Sequence, residues 1–223
     1  MGVVAATIVS VIRRRSWRWV MCGALLLAAG LGAHGSWIHA KAVLAQWLLE
    51  RAWSHSDHGR LPQHPWPWAD ITPLARLRVP RLQQDLIVLD GDSGQALAFG
   101  PGWNAGGARP GAAGLGVISA HRDTQFRFLP QLRPGDQLAL DGPRGHSDYV
   151  VTGSRVIDSR LVRVPPADSM DGLWLVTCYP FDAIVPGGPL RYAVQARRLE
   201  LNASVVDSSA GAGTKPERPG QNL

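Results

Sequence analysis

The pattern of hydrophobic and polar positions changes twice along this chain, and each change marks a different kind of segment. Residues 19–40 form an apolar run without Lys, Arg, Asp or Glu. Residues 42–54 then place apolar side chains at helical spacing. From residue 71 onward, short apolar runs alternate with turns rich in Gly, Pro and Asp. The pattern predicts a long apolar helix, a second helical segment and a β-rich domain.

The apolar run is long enough to cross a membrane, since about 20 helical residues span about 30 Å of hydrocarbon. It is preceded by Arg13, Arg14, Arg15 and Arg18 and followed by Lys41. A basic cluster before an apolar run places the N-terminus in the cytoplasm and the remainder outside. A cleaved signal peptide is the alternative. We favour an uncleaved anchor because the run exceeds an ordinary signal core and offers poor cleavage sites.

The second half of the chain has the spacing of an all-β domain. Its predicted strands are ARLRVP, DLIVLD, GLGVISAH, DQLAL, DYVVTGSRVI, LWLVTC and LRYAVQARRL, and a helical turn is predicted within residues 125–132. Strands at such short intervals are typical of a sandwich or a closed barrel. Strong amphipathic helices between them are missing, which argues against a doubly wound α/β fold.

These segments divide the chain into five parts. They are a cytoplasmic N-terminus, a transmembrane anchor, a juxtamembrane helix with a linker, a folded domain and a disordered tail. Their predicted bounds are residues 1–18, 19–40, 41–68, 69–201 and 202–223, in that order.

Composition and charge narrow the function classes. The 223 residues are 45% hydrophobic and 18% charged, which suffices to build a core and excludes wholesale disorder. A net charge of +6 would suit nucleic-acid binding, but the four arginines before the apolar run leave only +2 elsewhere. The positive charge is therefore a topology signal, and we expect no nucleic-acid partner.

Cysteine and histidine usage points away from metals and disulfide scaffolds. The only two cysteines are Cys22, in the apolar run, and Cys178. Neither a CxxC motif nor a Cys/His cluster is present, and the linker histidines lack the spacing of metal ligands. We therefore expect no metal site and no cofactor, while weak calcium binding by an acidic loop stays open.

Three residues near strand ends could carry chemistry together. Cys178 follows the apolar strand LWLVT, His121 follows VISA, and Arg191 opens the strand RYAVQ. Each has an ordinary alternative: a buried thiol, a surface histidine and a surface or salt-bridged arginine. If the three strand ends meet on one face of a barrel, they supply a nucleophile, an acid/base and a fixed cation.

The order of these residues resembles the sortase family of cysteine transpeptidases. The family signature Thr-Leu-x-Thr-Cys appears as WLVTC at residues 174–178, with Trp in the first position. LAFGPGW, SAHRDTQFRFL, PGDQL, LVTCYPFDA and GGPLRY resemble the Gram-negative class of sortases. The resemblance covers about residues 67–197, with the membrane anchor in its expected place.

The chain departs from the family pattern at three places. Trp103 stands where His is frequent, and Ser119-Ala120 stands where Ala-Gly is common. Leu115-Gly116 replaces an Asn-containing pair before the histidine strand. These changes affect loop details and leave the three central residues in place.

The resemblance implies a closed sortase-type β-barrel with short helical turns, behind an N-terminal transmembrane helix. It implies that Cys178 is the nucleophile, that His121 is the acid/base and that Arg191 stabilises the oxyanion. It also implies that Thr177, Ser119 and Ala120 contribute to substrate binding.

The implied substrate is a secreted protein that carries a C-terminal LPxTG-like sorting signal. The enzyme would cleave this signal through a thioester and transfer the acyl part to an amine acceptor. The expected location is the inner membrane, as a single-pass protein with its catalytic domain on the periplasmic side.

Two other functions remain open at the level of sequence. An L,D-transpeptidase-like acyltransferase is one, although such enzymes keep His and Cys close in sequence, unlike His121 and Cys178. The other is a non-catalytic membrane-tethered β-domain that binds a cell-envelope partner and buries Cys178. A kinase His-Arg-Asp motif is discarded, because no Gly-rich loop or Asp-Phe-Gly accompanies HRDTQF.

Overall fold

The computed structural model describes residues 2–56, 63–162, 165–185 and 187–199. The predicted tail, residues 202–223, lies outside the described residues, as does part of the predicted linker at 57–62. The bounds of the five predicted parts stay predictions.

A single unbroken helix, α1 (Gly2–Ser56), covers both the predicted anchor and the predicted juxtamembrane helix. Its segment Met21–His55 is long and apolar enough to cross a membrane. Leucines in the first part of this segment are exposed, with Leu25 and Leu31 about two-thirds exposed.

Eight strands of the described region form a closed barrel, which confirms the predicted all-β barrel class. They are β1 (Pro73–Val79), β2 (Gln84–Asp90), β3 (Gly102–Trp103), β4 (Leu115–Ser119), β5 (Gln137–Gly142), β6 (Gly145–Asp158), β7 (Gly172–Cys178) and β8 (Leu190–Arg198). Their order around the barrel is β1-β2-β3-β4-β7-β8-β6-β5. The β4–β7 and β2–β3 pairs are parallel, and the others are antiparallel.

Short helical segments interrupt the barrel. The 3₁₀ turn Leu129–Gln131 confirms the helical turn predicted within residues 125–132. A second 3₁₀ turn spans Pro80–Leu82. The helix α2 (Gly94–Phe99) was not predicted, since six residues are too few to show a periodicity; its N-cap Ser93 accepts a hydrogen bond from Ala96 N at 3.2 Å.

The barrel interior is filled by apolar side chains of the strands and of the segment after β4. The largest fully buried members of this core include Trp103, Phe126, Leu129, Leu138 and Leu140. Short apolar runs bounded by turn residues are the pattern that predicted these strands.

Two departures from the family pattern pack against each other in this core. A Cβ placed on Gly116 would lie 2.6 Å from the Trp103 ring atoms Cη2 and Cζ2. The buried indole of Trp103 therefore fits only because residue 116 has no side chain.

The C-terminal part of α1 packs onto the outside of the barrel. Leu49 is 1% exposed and belongs to an apolar cluster with Ile71, Ile87 and Leu89. Gln46 Nε2 donates to the Phe99 carbonyl oxygen at 2.8 Å. These contacts join the helix directly to β2 and α2.

Candidate active site

The three predicted catalytic residues lie on, or just beyond, neighbouring strands of the barrel wall. β4 and β7 are parallel, with Ser119 paired to Val176, so their carboxyl ends lie at the same edge. His121 lies two residues beyond Ser119, and Cys178 lies two residues beyond Val176. The register therefore brings His121 level with Cys178.

Arg191 lies on the other side of Cys178. β7 and β8 are antiparallel, and Cys178 is paired directly with Arg191. Side chains of directly opposed residues lie on the same face of a sheet, with Cβ atoms about 4.5–5.5 Å apart. The order β4-β7-β8 thus sets Cys178 between the histidine and the arginine, which sequence spacing alone could not establish.

A cavity of about 110 Å³ opens at this edge. Cys178 is half-buried and His121 is exposed, so solvent reaches both. The cavity is lined by residues at and beyond the ends of β4 and β7, namely His121, Arg122, Asp123, Cys178, Tyr179, Pro180, Ala183, Val185, Gly187 and Gly188.

The guanidinium of Arg191 is held by backbone carbonyls. Its Nη1 donates to the carbonyl oxygens of Gly188 at 2.6 Å and Leu190 at 2.9 Å. A carbonyl orients the guanidinium without neutralising it, so the positive charge stays available to a developing oxyanion.

A neighbouring carboxylate is already paired with another arginine. Asp158, one residue after the partner of Arg191 in β6, accepts from Arg160 Nη2 at 2.6 Å and from Arg160 N at 2.9 Å. These hydrogen bonds lower the pKa of Asp158 to about 2. The negative charge of Asp158 is therefore paired with Arg160.

The three residues implied in substrate binding lie at the ends of β4 and β7. Ala120 and Thr177 are buried, and Ser119 is half-buried. Thr177 Oγ1 donates to the Ala120 carbonyl oxygen at 2.7 Å, which ties the two strand ends together below the cavity. Substrate contact by these three residues stays a prediction.

Arg122 was not singled out by the sequence reasoning, although it directly follows His121. It is 8% exposed, and its guanidinium donates to the carbonyl oxygens of Pro180 and Ala183 in the loop after Cys178. An arginine after a strand end resembles any surface arginine in sequence, and only its burial distinguishes it.

An aromatic cluster next to the cavity was also missed. Tyr179 stacks on Tyr192 with ring centroids 6.4 Å apart, and Phe181 meets Tyr192 edge-on at 5.3 Å. Beyond this cluster, Ile184 and Val185 are 96% and 78% exposed. The loop after β7 thus has a packed base and an exposed apolar tip.

Among the described residues, no group of three or more His, Cys, Asp or Glu side chains is arranged to hold a metal ion. The site as it stands offers a thiol, an imidazole and a guanidinium along one edge. That set suits nucleophilic acyl transfer, in which a thiolate attacks, an imidazole moves protons and a cation binds the oxyanion.

The sortase domain family matches residues 77–199, more than half of the chain. Sortase D of Bacillus subtilis strain 168 is 31% identical over 124 residues, which are 55% of this chain and 62% of that protein. The match therefore spans less than two-thirds of the relative. Because that relative comes from a Gram-positive organism, it does not confirm the Gram-negative class.

Solved sortase structures share the fold. A sortase D5 transpeptidase from Clostridium perfringens matches with a TM-score of 0.56 and 17% identity, covering 71% of this chain and 99% of that one. Sortase A from Corynebacterium diphtheriae matches with a TM-score of 0.51 and 21% identity, covering 72% and 86%. At these identities the likeness concerns the barrel architecture.

Proposed function

The chain belongs to the sortase family, and on this premise we propose that it is a membrane-anchored cysteine transpeptidase. It cleaves a C-terminal LPxTG-like sorting signal of a secreted protein and transfers the acyl part to an amine acceptor. The single observation that carries the proposal is the strand register that sets Cys178 between His121 and Arg191.

The first half of the reaction forms a thioester. The thiolate of Cys178 attacks the carbonyl carbon of the threonine-like residue in the signal, and the C–N bond to the next residue breaks. His121 gives a proton to the departing amine. Arg191 binds the oxyanion of the tetrahedral intermediate through its guanidinium, whose other contacts are backbone carbonyls.

The second half releases the product. The incoming amine attacks the thioester carbon, His121 accepts the proton of that amine, and the thiolate of Cys178 leaves. Water in place of the amine gives hydrolysis. No cofactor takes part in either half.

Membrane attachment is supported by the apolar segment Met21–His55 and by the arginines before it. The helix meets the barrel at Leu49, about 13 Å along its axis from residue 40, since a helix rises about 1.5 Å per residue. The barrel would therefore lie close to the periplasmic face of the inner membrane. A substrate held in the same membrane reaches a high effective concentration there.

The class of the enzyme is proposed from its motifs. HRDTQF together with LVTCYPF and GGPLRY supports the Gram-negative class. The substrate accordingly would be a secreted protein that ends in a sorting motif, an apolar stretch and a basic tail.

The full-length chain in detergent micelles provides the test. We expect it to cleave peptides from a library that varies the third position of LPxTG, and to join the acyl fragment to an added amine. Mass spectrometry of the products measures both steps. Cys178→Ala should abolish cleavage and transfer, whereas Cys22→Ala should leave both unchanged because Cys22 lies in the apolar run.

Two results would overturn the proposal. Turnover that persists in Cys178→Ala would show that Cys178 is not the nucleophile. Failure of the unaltered, folded chain to process any library peptide would favour the alternative, a tethered β-domain that only binds a partner.

A further inference from the structure

Arg122 has an environment that its neighbours in the sequence do not share. It is 8% exposed, while His121 and Asp123 on either side are exposed. Burying a guanidinium is costly unless its donors are satisfied. The hydrogen bonds of Arg122 must therefore offset the cost of burying its charge.

Arg122 Nε donates to Asp123 Oδ1 at 3.3 Å, while the two Nη groups of Arg122 reach across the site to the loop that follows Cys178. Nη1 donates to the carbonyl oxygen of Pro180, and Nη2 donates to that of Ala183. Ala183 N in turn donates to the Pro180 carbonyl oxygen at 3.4 Å, so the two acceptors close one turn. A single guanidinium therefore fixes both ends of this turn.

The base of Arg122 is itself fixed. Phe126 N donates to the His121 carbonyl oxygen at 3.0 Å, and the Phe126 ring is fully buried in the barrel core. The loop that carries His121 and Arg122 is thus anchored in the core. Through Arg122, this anchored loop fixes the position of the chain two residues after Cys178.

On this basis we propose that Arg122 is a positioning residue of the transpeptidation site, which holds the loop after Cys178 at a fixed distance from His121. The inference rests on the proposed function. The planar guanidinium is suited to the task because it offers several donors in a fixed geometry, whereas an ammonium is a single point charge.

The kinetic test uses the full-length chain in detergent and three variants. Arg122→Gln removes the charge and the paired donors, Arg122→Lys keeps the charge, and Arg127→Gln is the matched control on an exposed arginine of the same loop. We expect Arg122→Gln to lower kcat about 10- to 100-fold, the loss that a small misplacement of reacting groups causes. KM should change much less, Arg122→Lys should recover part of kcat, and Arg127→Gln should match the unaltered chain.

A second readout needs no substrate, so it separates this inference from the proposed function. In a Cys22→Ser background, N-ethylmaleimide labels only Cys178. In Arg122→Gln, release of the loop should speed this labelling severalfold. In Arg127→Gln, the labelling rate should equal that of the unaltered chain. If no chain transfers peptide but labelling responds in this way, the proposed function fails while the positioning role stands.

Three outcomes would overturn the inference. Arg122→Gln and Arg122→Lys could both keep the unaltered kcat and labelling rate. Arg127→Gln could show the same loss as Arg122→Gln. Both Arg122 variants could fail to fold, as judged by circular dichroism, which would assign Arg122 to folding stability alone.

Discussion

At the scale of single residues, the site depends on side chains whose charges are directed by backbone groups and by neighbours. Arg191 illustrates this. The carbonyl oxygens of Gly188 and Leu190 orient its guanidinium, and the nearby carboxylate of Asp158 is paired with Arg160 instead. The guanidinium is therefore oriented and still charged.

Replacing Arg191 by lysine tests whether this orientation matters. An ammonium keeps the charge but cannot bind the Gly188 carbonyl and an oxyanion in the same planar geometry. We expect Arg191→Lys to lower kcat about 100- to 1,000-fold, the usual loss when an oxyanion donor is removed. Steady-state peptide transfer measures it, with Arg127→Lys as the control; equal kcat in Arg191→Lys and the unaltered chain would contradict the assigned role.

His146 gives a pH-dependent contribution to stability outside the site. Its Nδ1 lies 2.6 Å from Asp141 Oδ1 and its Nε2 lies 3.0 Å from Asp148 Oδ1. The hydrogen bond to Asp141, followed by the charge of Asp148, raises the pKa of His146 above its ordinary value.

Because the folded pKa is raised, the stabilisation by protonated His146 is complete below the unfolded pKa of about 6.5 and is lost as pH rises through the folded pKa. We expect urea unfolding to show a small loss of stability over this range in the unaltered chain. His146→Gln should lack that loss. Identical pH profiles for the two chains would contradict the prediction.

Candidate site residues stand out in the sequence where a motif exists, but the burial of a side chain does not. His121, Cys178 and Arg191 all stand at or next to the ends of strands that short apolar runs make visible. Arg122 carries no such signal, since its burial depends on carbonyls about 60 residues away in the chain. Long-range contacts of this kind have no local pattern.

At the scale of elements, the strands follow from short apolar runs bounded by turn residues, whereas their pairing does not. The parallel contact of β4 with β7 joins segments more than 50 residues apart, and it is this contact that brings His121 level with Cys178. The two-residue strand β3 and the six-residue helix α2 were too short to predict. The spacing of the strands was compatible with either a sandwich or a closed barrel, and only the resemblance to a family favoured the barrel.

The β3–β4 contact makes a testable packing prediction. Gly116→Ala forces its Cβ to within 2.6 Å of the Trp103 ring unless the backbone or the indole moves. Overpacking of this kind costs about 1–3 kcal/mol of unfolding free energy. Chemical unfolding measures it.

Two further variants make this result specific. Gly153→Ala is the control, because a Cβ there meets nothing within 4 Å. Trp103→Phe combined with Gly116→Ala should lose less stability than the sum of the two single changes, since the smaller ring relieves the clash. Strict additivity would show that the two positions do not interact.

At the scale of the whole molecule, the long helix and the barrel form one connected unit. Leu49 is buried against Ile71, Ile87 and Leu89, and Glu50 Oε2 lies 3.1 Å from Arg76 Nη1. If α1 is anchored in a membrane, the barrel is held beside it at a defined place.

Leu49→Ala tests this connection. Removing a buried leucine side chain costs about 2–5 kcal/mol where the cavity does not collapse. We expect a lower melting temperature for full-length Leu49→Ala in detergent, while Leu44→Ala, on an exposed leucine of the same helix, should match the unaltered chain. Equal melting temperatures for all three would show that the helix does not stabilise the barrel.

The most direct test of the central claim is to detect the covalent intermediate on Cys178. The full-length chain is mixed with an LPxTG-like peptide without an amine acceptor, and intact-mass spectrometry with peptide mapping follows the chain. We predict a mass increase equal to the N-terminal acyl fragment, located on Cys178 and discharged as a transfer product when an amine is added. Peptide cleavage without an adduct on Cys178, or an adduct that forms equally in Cys178→Ala, would contradict the account.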